Sequence, residues 1–240
     1  MTPALATPLR ARSYYAQSRL EVTALVDPIA GRSFLDIGCG EGGLGRALKD
    51  AGSGPVVGIE VDPRAAAEAA RYYDRVHTAD VDSISPPFCA ETFDHLVCAD
   101  ILEHLKDPWG VLARFRPVLK KNGTLVASIP NIGNVRTVTD LLQGRFDYLD
   151  WGIMDQSHLR FFTRGGIEKM LAGAGYTICD IRPKCDPNAE GIMDLWRQHD
   201  MHRRLRDLVI LMGGGPFSPT DRHLEEMLVI QYLVVAQRSA

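Results

Sequence analysis

Ten residues, Phe34 to Gly43, constrain this chain more than any others: Phe-Leu-Asp-Ile-Gly-Cys-Gly-Glu-Gly-Gly. The run Ser33-Phe34-Leu35 enters it as a β-strand does, and Asp36 stands at the strand's end. Gly38, Gly40 and Gly42 then alternate, and a helix-like segment, Leu44 to Ala51, follows at once. Glycine has no Cβ, so such a turn is tight and its backbone can come close to a ligand. The first N–H groups of the following helix lack intrahelical acceptors and face whatever is bound there. The unit is therefore strand, ligand-seating turn, helix. The carboxylate beside the seat calls for a cation or hydroxyls on the ligand.

Two spacings can be written over the same glycines. G-x-G-x-x-G, over Gly38, Gly40 and Gly43, is the dinucleotide pattern and implies an NAD-dependent oxidoreductase. Its weakness is Asp36, which would face a pyrophosphate with a like charge. D-x-G-x-G-x-G, over Asp36, Gly38, Gly40 and Gly42, is the tighter fit.

The rest of the chain supplies the α/β rhythm. Val56-Val57-Gly58-Ile59 is an apolar run of buried-strand type that ends at Glu60. Asp62-Pro63 caps a helix expected over Arg64 to Tyr73. Arg75 to Thr78 and His95 to Ala99 read as strands. Asp107-Pro108 starts a helix expected to run to Leu119 and to close over Lys120-Lys121-Asn122-Gly123, and Thr124 to Ile129 is a further strand. This alternation predicts a doubly wound, mostly parallel sheet with helices on both faces. Beyond Pro130 the rhythm breaks. Asn134 to Gln143 reads as a helix. Arg145 to Phe162 is dense in aromatics. Thr163 caps a helix to Ala174, Tyr176 to Ile181 is a strand, Pro183 to Arg222 is irregular, and Met227 to Ala236 is a closing strand.

Asp36, Gly38, Gly40 and Gly42 resemble the first motif of class I S-adenosylmethionine (SAM)-dependent methyltransferases. Glu60, 24 residues after Asp36, matches the family's ribose-binding acid, with Val61 beside it. Asp80 and Val81, after the third strand, match the adenine contacts. Phe93 to Leu105, with Ala99 and Asp100 at the cofactor, is similar to the fourth motif region. Tyr14, Tyr15 and Arg19 stand where many relatives carry a helix over the cofactor's carboxylate; an ordinary amphipathic helix is the other reading. The stretch Arg145 to Phe162 and the last strand resemble bacterial methyltransferases of cell-surface sugars and secondary metabolites. The resemblance implies a Rossmann-like sheet of seven strands, the last antiparallel. It implies SAM as cofactor, with S-adenosylhomocysteine (SAH) as product. One domain spans 1–240: an N-terminal helical cover over 1–30, a SAM-binding core over 31–130, and acceptor-side insertions at 131–162 and 183–226, forming a helical and aromatic lid.

Methyl transfer is an in-line displacement, so the protein's main task is to hold a nucleophile near the methyl carbon, at about 3 Å. Where the acceptor must lose a proton, His suits neutral pH. His104, just past the fourth strand, and His158, in the aromatic insertion, are the candidate bases. Each has a structural alternative, as a packing His or as a clasp on the lid. Asn131, Arg136, Tyr148 and Trp151 are candidate acceptor contacts; the aromatics otherwise form the core of a lid. Arg203, Arg204 and Arg206 read as a solvated helix face or an anion site.

Composition narrows the acceptor. Net charge is −3, with no broad basic field for nucleic acid. The Asn/Asp-Pro-Pro-aromatic motif of nucleic-acid amino methyltransferases is replaced by Ala99-Asp100-Ile101-Leu102, and the paired-Glu loop of arginine methyltransferases is absent. No Asp/Asn cluster marks a magnesium site, so no metal is expected. Five scattered cysteines without a C-x-x-C pair fit reduced thiols and a cytoplasmic setting. Apolar runs are too short to span a bilayer. The expectation is a monomer or homodimer acting on a small molecule or sugar, with a non-catalytic SAM-binding module as a further alternative.

Overall fold

Phe34, Leu35, Asp36 and Ile37 are all buried, the mark of a central strand covered on both faces. They form β1 (Phe34–Ile37) of a seven-stranded sheet. The others are β2 (Val56–Glu60), β3 (Arg75–Thr78), β4 (Phe93–Ala99), β5 (Leu119–Pro130), β6 (Tyr176–Cys185) and β7 (Val229–Arg238). The computed structural model describes residues 19–26, 28–211 and 221–239. Strand order is β3-β2-β1-β4-β5-β7-β6. β1 to β5 pair in parallel, and β7 runs antiparallel to both β5 and β6. Among the described residues, the predicted seven-stranded sheet is the one observed.

Alternate residues feed opposite layers, as the twofold period of a strand requires. Leu35 and Leu96 join Leu112, Phe115, Met170 and Leu171 on one face. Phe34 and Val97 join Leu44, Leu48, Tyr73 and Val22 on the other. The order reverses between β1 and β4, which opens a crevice at their carboxyl ends.

The predicted caps at Asp62, Asp107 and Thr163 are formed, and Asn134 supplies one more. Asp62, Asp107, Asn134 and Thr163 each accept a backbone N–H from the first turn of the helix that follows. Two helices are shorter than expected. The one after Asp62 ends at Ala69, and the one after Asp107 at Phe115. A 3₁₀ turn, Arg116–Val118, carries Pro117, which cannot continue an α-helix. Leu119 to Gly123 therefore already belong to β5 rather than closing a helix.

The stretch 183–222, expected to be irregular, is largely helical among the described residues. β6 extends to Cys185, and helices cover Ala189–Gln198, Met201–Leu211 and Asp221–Met227. Ala189, Ile192, Met193 and Trp196, spaced one helical turn apart, pack with Leu224 and Leu228 into a small separate core. No described helix is long and apolar enough to cross a membrane.

Candidate active site

The glycine turn leaves β1 with its N–H groups engaged. Gly38 and Cys39 donate to the Ile59 carbonyl at 2.8 and 3.1 Å. Gly40 donates to Glu60 Oε2 at 2.9 Å, and Asp62 N–H reaches Glu60 Oε1 at 2.9 Å. Glu60 is thus fixed over the turn from the tip of β2. Gly38 and Gly40 have φ of +75° and +54°, a region L side chains avoid. A Cβ on Gly38 would stand 2.7 Å from the Ile101 side chain. Around the turn lies a cavity of about 220 Å³ that Asp36, Glu60, Asp100, Arg19 and His104 also line.

Asp36 lines that cavity while only 2% exposed. Tyr73 Oη donates to Asp36 Oδ2 at 2.5 Å, and Gly45 N–H donates to Tyr73 Oη at 3.0 Å. Burial pushes the Asp36 carboxyl up to about 7, and the nearby Glu60 charge adds to this; the Tyr73 hydroxyl and Arg19 pull the other way. Burial, then the Asp36 charge, holds the Tyr73 phenol well above its ordinary range.

Asp100, at the tip of β4, has φ of +51°, a strained conformation for a non-glycine residue. Its Oδ1 accepts from Ser128 Oγ on β5 and Gln231 Nε2 on β7, both at 2.5 Å, and its Oδ2 pairs with Arg19. Three strands therefore hold this acid and its guanidinium partner at the cavity wall.

A 3₁₀ turn, Leu102–His104, follows. Leu159 and Arg160 donate their N–H groups to the Glu103 carbonyl at 2.8 and 3.0 Å, which staples the aromatic loop to this turn. The staple brings His158 against His104, ring centroids 4.7 Å apart at 73°. His158 Nδ1 bonds the Ile153 carbonyl at 3.0 Å, and His104 Nδ1 the Ser157 carbonyl at 3.2 Å. A carbonyl only accepts, so these partners assign the ring proton to Nδ1 in both. Behind them Glu103 is 1% exposed, with Oε1 4.0 Å from His158 Nε2. Burial, then the Asp100 charge, holds the Glu103 carboxyl well above its usual range. Burial, then His158, lowers the His104 imidazole.

Residues 9–181, well over half of the chain, match the family model described as "Methyltransferase domain". The chain belongs to this methyltransferase family. A ubiquinone biosynthesis O-methyltransferase of Thiobacillus denitrificans is 32% identical over 109 residues, covering 43% of this chain and 47% of that protein. The chain thus spans about half the length of that curated relative. An S-adenosylmethionine dependent methyltransferase from Mesorhizobium loti superposes with TM-score 0.59 at 17% identity, covering 91% of this chain and 96% of that one. Magnesium protoporphyrin IX methyltransferase from Synechocystis, solved with bound SAH, superposes with TM-score 0.57 at 16% identity, covering 99% and 90%. At these identities the structures establish the fold: the Rossmann-like fold of SAM-dependent methyltransferases.

Within this methyltransferase domain, Asp36, Gly38, Gly40, Glu60, Val61, Ala99, Asp100, Arg19 and His104 share the one cavity. Other candidates stand elsewhere. Gly42 begins the helix Gly43–Asp50, where a Cβ would come 2.9 Å from Ala69 Cα; it serves helix packing. Val81 is in the core, and Asp80 is exposed, with its Oδ1 accepting from Asp82 N–H. His158 is buried behind His104 and does not line the cavity.

The acceptor candidates fare differently from expectation. Asn131 is buried and consumed structurally: Nδ2 donates to the Glu226 and Val229 carbonyls, and Oδ1 accepts from Gly133 N–H. Arg136 turns away to pair with Asp186 at 3.0 Å. Tyr148 and Trp151 are exposed, Trp151 by 75%, so they form no lid core and do not line the cavity. Phe146 packs edge-on against Tyr148 on that same surface. The three arginines of Met201–Leu211 are solvated. Tyr14 and Tyr15 lie outside the described residues. The sequence reading did not single out Tyr73, Gly45, Glu103, Ser128 or Gln231. Glu103, adjacent to His104 in a run of strand-end residues, had a local signal; the others had none.

Proposed function

We propose that this protein transfers the methyl group of SAM to an oxygen or nitrogen nucleophile on a small molecule or sugar-containing metabolite. The observation that carries the reading is the charge of the cavity. Asp36, Glu60 and Asp100 bring three carboxylates to the glycine turn, against one guanidinium, Arg19. Such a wall suits a ligand rich in positive charge and hydroxyls and opposes a pyrophosphate, which argues against NAD.

Glu60, with both oxygens already oriented by backbone N–H groups, would accept from ribose hydroxyls. Asp36 supplies negative charge at the end of β1, and Arg19 a cation for the amino-acid carboxylate. Bound SAM supplies an already activated methyl group. His104 would then take the proton of the attacking hydroxyl or amine, since it faces the cavity with an imidazole kept neutral and its Nε2 lone pair unprotonated.

A thermal melt tests the cofactor. SAH at 100 times its dissociation constant should stabilise the fold by about 2.7 kcal/mol, and NAD should not. Stabilisation by NAD alone would overturn the reading. Radiolabelled SAM offered to panels of phenols, sugars and amines tests the acceptor class, and labelling of nucleic acid or protein alone would overturn that part.

A further inference from the structure

Beside the cavity, one carboxylate and two imidazole nitrogens converge without a hydrogen bond among them. Both carboxylate oxygens of Glu103 are buried without a hydrogen-bond partner. His158 Nε2 is 4.0 Å from Oε1, and its Nδ1 is committed to the Ile153 carbonyl. His104 Nδ1 is committed to the Ser157 carbonyl. One ligand atom from each of Glu103, His104 and His158 lies within 4.8 Å of the other two. A buried carboxylate beside two imidazole lone pairs needs a cation shared among them, a proton or a metal ion.

We propose that Glu103, His104 and His158 bind a divalent transition-metal ion of the zinc type. The donor set is two imidazoles and one carboxylate, which suits zinc and leaves a coordination position open. Each imidazole already has its outer nitrogen bonded to a backbone carbonyl, the arrangement that fixes the ring and presents Nε2 to a metal. With zinc about 2.0–2.2 Å from each donor, tetrahedral ligands stand about 3.4 Å apart. The group must therefore contract by about 1 Å from its 4.0–4.8 Å spacing, a shift that small side-chain rotations supply. His158 reaches the group only because Leu159 and Arg160 N–H groups clamp its loop to the Glu103 carbonyl. The ion would also lie next to the methyl-transfer site, since His104 lines the cavity. With the ion bound, His104 Nε2 is a ligand and no longer a base; the ion takes over that role by lowering the pKa of an acceptor hydroxyl, so acceptors are oxygen nucleophiles in preference to amines. That last step rests on the methyl-transfer reading; the metal binding does not.

The test uses the full chain, stripped with a chelator and then dialysed. Zn(II) is titrated against a chromophoric competitor, and Co(II) is followed by visible absorption. The expected result is one tight zinc per chain and intense cobalt bands without a thiolate charge-transfer band. The thiolate band matters because Cys89, Cys179 and Cys185 are exposed and bind soft metals on their own. Glu103→Gln, which keeps shape and removes the charge, should weaken zinc at least about tenfold. His104→Gln, at a partly buried position, serves if Glu103→Gln does not fold. Absence of the cobalt bands, bands of thiolate type only, or equal zinc affinity in the variant would overturn the proposal, leaving a shared proton in the cluster. SAH binding is measured on the same samples. Zinc failure with SAH bound sinks the metal site alone, and SAH failure with zinc bound sinks the methyl-donor reading alone.

Discussion

Replacing Asp36 by Asn should make the ligand-free protein more stable at alkaline pH while weakening its hold on SAM. An unperturbed Asp titrates at 3.8, and burial raises Asp36 to about 7. The folded protein therefore keeps a proton on this group over a range in which the unfolded chain has lost it. Stability from this residue is full below about pH 4, declines as pH rises toward 7, and is flat above. Three pKa units at 1.36 kcal/mol each put the cost of the buried charge at about 4 kcal/mol above pH 7. Asn removes that cost but accepts more weakly from the Tyr73 hydroxyl, a loss of about 1–2 kcal/mol. The expected net gain at pH 8 is about 2 kcal/mol, falling to about zero at pH 5. Urea unfolding at both pH values, with slopes compared so that only the midpoint shifts, reads it directly. Calorimetry on the same samples should show wild-type affinity for SAM rising through pH 7 as Asp36 ionises, and a flatter profile in the variant. A variant less stable at pH 8, with the wild-type pH slope retained, refutes the argument.

Gly45→Ala should destabilise, although Ala is ordinarily the better helix former. The new Cβ would fall 2.1 Å from Tyr73 Cε2, driving the ring off Asp36. A loss of about 2–4 kcal/mol is expected in thermal or urea unfolding, and a neutral outcome means Tyr73 is not fixed there. Gly40→Val places a β-branched residue at φ +54° and narrows the approach to the turn. SAH binding by calorimetry should be abolished; near-normal affinity would remove the turn from the cofactor site. His158→Ala should lower turnover at least about tenfold with SAH affinity within about twofold, and unchanged turnover would exclude a role for His158.

The half of the fold built on regular repeats was readable. β1 and β2 announce themselves as short apolar runs ending in a carboxylate, and Asp62-Pro63 and Asp107-Pro108 are cap pairs with a local mechanism. The cavity wall from Asp36 through Glu60 to Asp100 follows, because strand ends in a doubly wound sheet all point into one crevice. The stretch 183–222 reads as irregular because its apolar residues are few and flanked by charge. The Ala189, Ile192, Met193, Trp196 spacing that reveals a helix was outweighed by Gly and Pro at its ends. Tyr73 is illegible for a different reason. It meets Asp36 across 37 residues, from the bend that leads into β3 to the last residues of β1, and no local pattern encodes that meeting. Asn131 and Arg136 stand at the right place in the chain, yet the neighbouring β7 and Asp186 claimed their polar groups first.

The placement of β7 has a consequence for how the protein is made. Among the described residues, β6 pairs with β7 and with no other strand, and β5 has only β4 on its other side. β7 is the last of the seven strands in chain order, so during synthesis β6 waits without a partner and β5 presents an open edge. Gln231, which helps hold Asp100, arrives with that same strand. The cofactor wall is thus incomplete until β7 threads between two strands that were made before it. A nascent chain stalled before Val229 should be captured by chaperones and fail to bind SAH.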